Sequence, residues 1–452
     1  MSISLLVLTA FFLFSSFAFG CTENWAITTC EIILFLGAGT RAYVKKGFFQ
    51  WPERLSPIAL FVIVLTVVCL IQLIPLPVSF WRLADSDRVL SYEKGRLSEE
   101  LLHSEFYRRD PFEAASIPEE KERYSPQTPS YLAISHAPIQ TLRSLLALLS
   151  FLCFIFLLED VSREGPDNIK MLAWIVGMIG LTIGLIALIE KGIEHRTHIM
   201  WFRESARAAF AFGPFVNGNH GEAFINMTFP LICYLLWRKS SHTGRLSDKI
   251  GMRFVILSML ALQGTLVISG SSKGNFLTLT LIPVAFFLHY GLSKSRRYLV
   301  IAGSVLFLLI GLGVVFLVQN GLLTDEARVS MNSNIVSRLI ISGYGLGSFG
   351  EVFPAMVTNW PMFKPMRNVY LENEYLQLYL ETGLIMIPFV LALVVAMLFG
   401  CYGALKRHGA VFWLVPPLAS EILRTWVDMS FHIFPLAAAF VLIFCLLTVG
   451  RK

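Results

Sequence analysis

Between residues 190 and 220 the chain gathers Arg203, Arg207, Asn217, Asn219 and His220 just ahead of a long apolar run. Guanidinium groups offer fixed, charge-assisted donors and amides add neutral ones, a set suited to holding a pyrophosphate. The competing reading is interfacial snorkelling and loop capping. Lys273 stands in Ser269-Gly-Ser-Ser-Lys-Gly274, a short turn between two apolar runs, either as a cation for phosphate or as a snorkelled helix end. Glu372, Asn373 and Glu374 precede Tyr375, Leu376, Leu378, Tyr379 and Leu380, the pattern of a helix entering a membrane. A carboxylate beside apolar surface can serve as a general base, or simply favour a helix N-terminus. Gly343, Gly345 and Gly347 alternate and permit close backbone approach. They do not form a nucleotide loop, because the preceding strand and the G-K-[ST] ending are missing. Glu421, Arg424 and Asp428, three and four residues apart, predict an ion pair on one helical face. His195 and His198 share a possible helical face, but lack a third nearby metal ligand.

The elements that must position these groups are apolar. Of 452 residues, 55% are hydrophobic and 15% charged, against roughly a quarter charged in soluble domains. Apolar runs fall near 3–20, 25–40, 56–75, 142–158, 171–189, 221–237, 254–269, 275–292, 299–318, 383–400, 410–427 and 433–449. The expected fold is all-α: a polytopic transmembrane bundle of about twelve spans, whose outward loops carry short helices. The run at 410–427 is interrupted by Pro416, Pro417, Glu421 and Arg424. Lys and Arg concentrate in every second short connection, which places both termini in the cytoplasm by the positive-inside rule. The loops 76–141, 190–220 and 319–382 then face outward from a single membrane domain, 1–452. The formal charge of +6 is scattered, without the basic stripe that nucleic-acid binding needs. Of seven cysteines, Cys30, Cys69, Cys153, Cys233, Cys401 and Cys445 lie in or beside apolar runs without C-x-x-C or Cys/His ligand spacing, and are read as membrane packing. Cys21 after Gly20 resembles a lipidation site only weakly, and the N-terminus lacks the basic residues of a cleaved signal peptide.

Taken in order, several segments resemble the O-antigen ligase and Wzy-type polymerase superfamily. They are Phe19-Gly20 with Trp25, Gln72-Leu-Ile-Pro-Leu-Pro77, Gly213-Pro-Phe-Val-Asn-Gly-Asn-His220, Ser269-Gly-Ser-Ser-Lys-Gly274, Gly343-Tyr-Gly-Leu-Gly-Ser-Phe349 and Glu372 through Gly383. The resemblance implies a metal-independent glycosyltransferase of the bacterial inner membrane, working on the periplasmic face without a cofactor. Its donor would be an undecaprenyl-pyrophosphate-linked glycan, and its acceptor a glycan, lipid A–core or a protein. It implies that Arg207, Lys273 and Arg338 contact the pyrophosphate, and that Asn217, Asn219, His220, Asn373 and Glu374 line the site. Glu372 occupies the position where such ligases carry the His assigned as general base, and Lys273 the position where Arg is frequent. The competing classes are a transporter or flippase of lipid-linked saccharide and a non-catalytic member of the family.

Overall fold

The computed structural model describes residues 2–45, 55–84, 89, 130–193, 197–205, 208–269, 276–293, 295, 301, 303–304, 340, 343–356, 371, 373–407, 409–426 and 428–449. Fourteen α-helices lie among them: α1 Ile3–Phe17, α2 Asn24–Val44, α3 Pro57–Gln72, α4 Val78–Ala84, α5 Pro138–Glu164, α6 Pro166–Lys191, α7 Gly218–His242, α8 Leu246–Ser269, α9 Phe276–Ser293, α10 Phe349–Met356, α11 Glu374–Thr382, α12 Ile387–Arg407, α13 Val415–Arg424 and α14 Phe434–Val449. Two antiparallel strand pairs complete the description. β1 Pro75–Pro77 pairs with β2 Tyr131–Ala133, and β3 His198–Ile199 with β4 Arg203–Glu204. Backbone groups in hydrocarbon must be satisfied within their own segment, and helices do this. Five helical stretches, in α2, α5, α6, α8 and around α12, are long and apolar enough to cross a membrane; α1, α3, α9 and α14 are shorter apolar helices.

The core is built around α7. Every residue from Gly221 to Leu235 is buried, which makes α7 an interior helix rather than a lipid-facing one. Its close neighbour α6 presents Gly177, Gly180 and Gly184, and a Cβ at Gly180 would sit 2.0 Å from the Thr228 hydroxyl. Small residues allow such backbone approach where lipid tails are as apolar as the packing side chains. Asn226 of α7 accepts a 2.7 Å hydrogen bond from the Gln263 amide of α8. Thr278 of α9 and Ser420 of α13 share one at 2.6 Å.

Two expectations need correction. The run at 410–427 is not one continuous helix. A 3-10 turn, Val411–Trp413, precedes the ten residues of α13, with prolines in its first turn. Ten residues rise about 15 Å, half the roughly 30 Å hydrocarbon thickness. His198 stands in a strand rather than on a helix, and His195 lies outside the described residues. Cys30 is buried, as the packing reading expects, and its sulfur lies 3.1 Å from that of the equally buried Cys21. The run at 299–318 falls almost wholly outside the described residues.

Side-chain contacts sort the connections into two groups. In one, Asp160 of α5 pairs with Arg41 and Lys45 of α2 and accepts from Ser4 of α1 at 2.6 Å. In the other, residues 17–24, 72–77, 131–141, 198–205, 208–220, 343–349, 371, 373–383, 424–426 and 428–434 are linked contact by contact. Arg203 pairs with Glu23 and lies 4.1 Å over the Phe19 ring. Gly20 lies under the ring of Phe215. The sequence motifs singled out above, where described, belong to this second group.

Candidate functional site

The Gly343–Gly347 run is tied to α11. All three glycines have positive φ, +73°, +110° and +78°. A Cβ on Gly343 would sit 2.2 Å from the Glu381 carbonyl oxygen, and one on Gly345 would sit 2.1 Å from the Ser135 hydroxyl. Glycine is required on both counts, conformation and space. The run delivers backbone donors to one buried carboxylate: Glu381 accepts from Gly347 N–H at 2.9 Å, Phe349 N–H at 3.3 Å and the Gln377 amide at 3.0 Å. Gln72, at the end of α3, donates to the Glu381 carbonyl and accepts from Leu346 N–H, each at 2.9 Å. Burial pushes the Glu381 carboxyl above its usual range, while His432 and its three donors pull the other way. Gly343→Ala is expected to cost about 2–4 kcal/mol, because a backbone carbonyl cannot swing aside as a side chain can. Gly39→Ala, with open space around it, should stay within about 0.5 kcal/mol. Thermal unfolding in detergent compares the two; equal melting temperatures would refute the clash.

A second cluster joins α7 and α13. Arg424 forks onto Glu421, with Nη2 at 2.9 Å and Nε at 3.2 Å from its two carboxylate oxygens. It also donates to Asp428, to Ser430 and, at 3.4 Å, to the Asn219 carbonyl. The expected ion pair is present. Asp428 reaches Arg424 from beyond the helix, which ends at Arg424. His220 is buried, with Nε2 3.3 Å from Asp428. Its Nδ1 has no hydrogen-bond partner among the described residues. Burial raises the Asp428 carboxyl, but the Arg424 charge and His220 more than offset it and leave it at about 2. Asn217 caps α7, accepting from Asn219 N–H at 3.0 Å.

The third cluster is the start of α11. Asn373 is its N-cap, accepting from Leu376 N–H at 3.0 Å. Glu374 accepts from Phe431 N–H at 2.8 Å and pairs with His432 Nδ1 at 2.9 Å. Its own N–H donates to the Thr425 carbonyl, which joins this cluster to the Arg424 group. Burial alone would lower the His432 pKa, but Glu374, with Glu381 behind it, raises it. A raised folded value stabilises fully below the ordinary value of 6.5, and the contribution is lost as pH rises through the folded value. The melting-temperature gap between wild type and Glu374→Gln should therefore be widest near pH 6 and close on going alkaline. A gap independent of pH would show that the pair does not titrate.

Five of the nine residues picked from the sequence are thus placed: Asn217, Asn219, His220, Asn373 and Glu374 share one connected network. Glu372, Arg207, Lys273 and Arg338 lie outside the described residues. Sequence reasoning named Gln72 and Glu381 only within longer motifs, with no role for either side chain, and missed His432. The i, i+4 pair Gln377 and Glu381, polar within Tyr375–Gly383, was the available signal for one of them. Among the described residues no group of three His, Cys, Asp or Glu side chains is arranged to hold a metal. No family model and no curated protein matches the chain.

Proposed function

We propose that this chain is a multi-pass membrane glycosyltransferase of about twelve spans that transfers or polymerises an undecaprenyl-pyrophosphate-linked glycan on the periplasmic face. The observation that carries the reading is spatial. Segments as distant in sequence as Gln72, Gly343–Gly347 and Asn373–Glu381 are tied together by hydrogen bonds, and Asn217–His220 joins them through Arg424 and Thr425. A fold that spends buried polar side chains on this convergence is organised around that end. The buried His220 Nδ1 without a partner among the described residues supports a polar ligand there. In the proposed reaction Arg207, Lys273 and Arg338 stabilise charge on the departing lipid pyrophosphate. Glu372 removes the proton of the acceptor hydroxyl as it attacks the anomeric carbon. Asn373 and Glu374, the next two residues in the chain, fix the start of α11.

The broken helix at 411–424 favours a second reading, a transporter of lipid-linked saccharide, because discontinuous helices build midplane sites in such proteins. Surface glycans and lipid-linked intermediates of a deletion strain separate the two. Accumulated lipid-linked units that purified protein converts to transferred or longer glycan support transfer. Substrate trapped on the cytoplasmic leaflet, with no glycosidic bond made by purified protein, refutes it. An impermeant thiol reagent should label cysteines placed in 76–141 or 319–382 from outside and spare one at 240–250; the reverse would overturn the orientation.

A further inference from the structure

We infer that Cys21 and Cys30 form a disulfide that staples the first helical turn-around. The geometry is local and complete. The two sulfurs stand 3.1 Å apart, about 1 Å beyond the roughly 2.05 Å bond. Both are free thiols in this structure, and Cys21 Sγ also donates to the Ala26 carbonyl at 3.7 Å, a contact that the oxidised form would give up. Both residues are essentially unexposed, at 1% and 0%.

The backbone supplies an independent observation. Phe19, Gly20 and Cys21 have φ of 56°, 67° and 55°, three successive left-handed residues of which two carry side chains. Such a conformation persists only where the surroundings over-determine it. Here the ring of Phe215 presses on Gly20 from one side, with no room for a Cβ. On the other side the only sulfur beside Cys21 among the described residues is that of Cys30. A covalent link there fixes the turn, and through Phe215 it fixes the segment that runs on to Asn217, Asn219 and His220. The staple is therefore a support of the proposed site, made without any residue of that site.

The inference rests on the outward orientation proposed above, because structural disulfides persist on the oxidising side of a membrane. The oxidant is of the protein dithiol–disulfide class, acting before α1 and α2 close over the thiols. One cysteine, as thiolate, attacks a sulfur of the oxidant's disulfide, forms a mixed disulfide and expels one oxidant thiolate. The second cysteine displaces the other oxidant sulfur. The protein loses two protons and two electrons, and the oxidant gains both as a dithiol. The Cys21–Cys30 bond replaces the oxidant's own.

The test uses the full chain from cells quenched in acid, alkylated without reductant, digested and read by mass spectrometry. The same preparation carries a Tyr131→Cys reporter, labelled in intact spheroplasts. A linked 21–30 peptide pair supports the proposal. Both thiols alkylated, with the reporter labelled from outside, overturns the disulfide and leaves the orientation standing. Both thiols alkylated with the reporter shielded overturns both. Thermal unfolding gives a second readout: Cys21→Ser, Cys30→Ser and the double substitution should lower the melting temperature equally, and reductant should bring wild type to the same value. Additive losses from the two single substitutions would mean two independent packing residues and would overturn the staple.

Discussion

Arg424→Met is expected to destabilise the protein by about 3–5 kcal/mol, the cost of leaving buried charges without their partner. Arg424 is buried, and so are Glu421, Asp428 and the neighbouring Glu222. One guanidinium serves two carboxylates, a hydroxyl and a backbone carbonyl, so its removal strands acceptors on α7, on α13 and in the turn after α13. Lysine should restore little, because a point charge cannot make the fork onto Glu421. Neutralising the stranded acids in Arg424→Met/Glu421→Gln/Asp428→Asn should recover part of the loss. The measurement is the melting temperature in detergent, with an expected drop of roughly 3–5 °C for Arg424→Met in a chain of this length. A wild-type melting temperature in that variant would remove the cluster as the tie between α7 and α13. The largest losses in stability thus belong to a residue with no part in the proposed chemistry.

Glu372→Gln should instead lower glycan transfer by about 10²-fold or more with the melting temperature unchanged, the usual effect of removing a general base. The neighbouring carboxylate cannot take over easily. Glu374 already accepts from Phe431 N–H and holds His432, so it positions the loop before α14. Glu374→Gln should therefore be milder in activity while reducing the pH dependence of stability described above, with the Glu381 contribution left. Lys273→Ala and Arg207→Ala should each cost about 10²-fold, as expected for donors that face developing charge. His432→Gln is the informative control, since its ring lies at the same end of the bundle. Full transfer by Glu372→Gln together with silence in His432→Gln would move the base to His432. Full transfer by Glu372→Gln, Arg207→Ala and Lys273→Ala alike would sink the enzymatic reading.

Much of the architecture was legible in the chain because apolar runs of spanning length have few alternatives to helix. The spacing of Glu421 and Arg424 announced their ion pair for the same reason, since three residues return a helix to one face. Pro416 and Pro417 marked the run at 410–427 as interrupted, and they stand in the first turn of α13, just after the break at Val411–Leu414. The alternating glycines foretold a close backbone approach, though not the partner. That Gly343 abuts the Glu381 carbonyl, and that Gly347 donates to the Glu381 side chain, depends on where α11 docks. The polar residues of α7, among them Glu222 and Asn226, set it apart from its more apolar neighbours, yet composition alone does not say what packs against it. Its burial follows from the glycines of α6, which admit it closely, and from the helices packed around it. Sequence fixes periodicity and composition along one chain. The pairing of Glu374 with His432, of Gln72 with Glu381 and of Cys21 with Cys30 is a matter of distance between segments, which only the packed helices set.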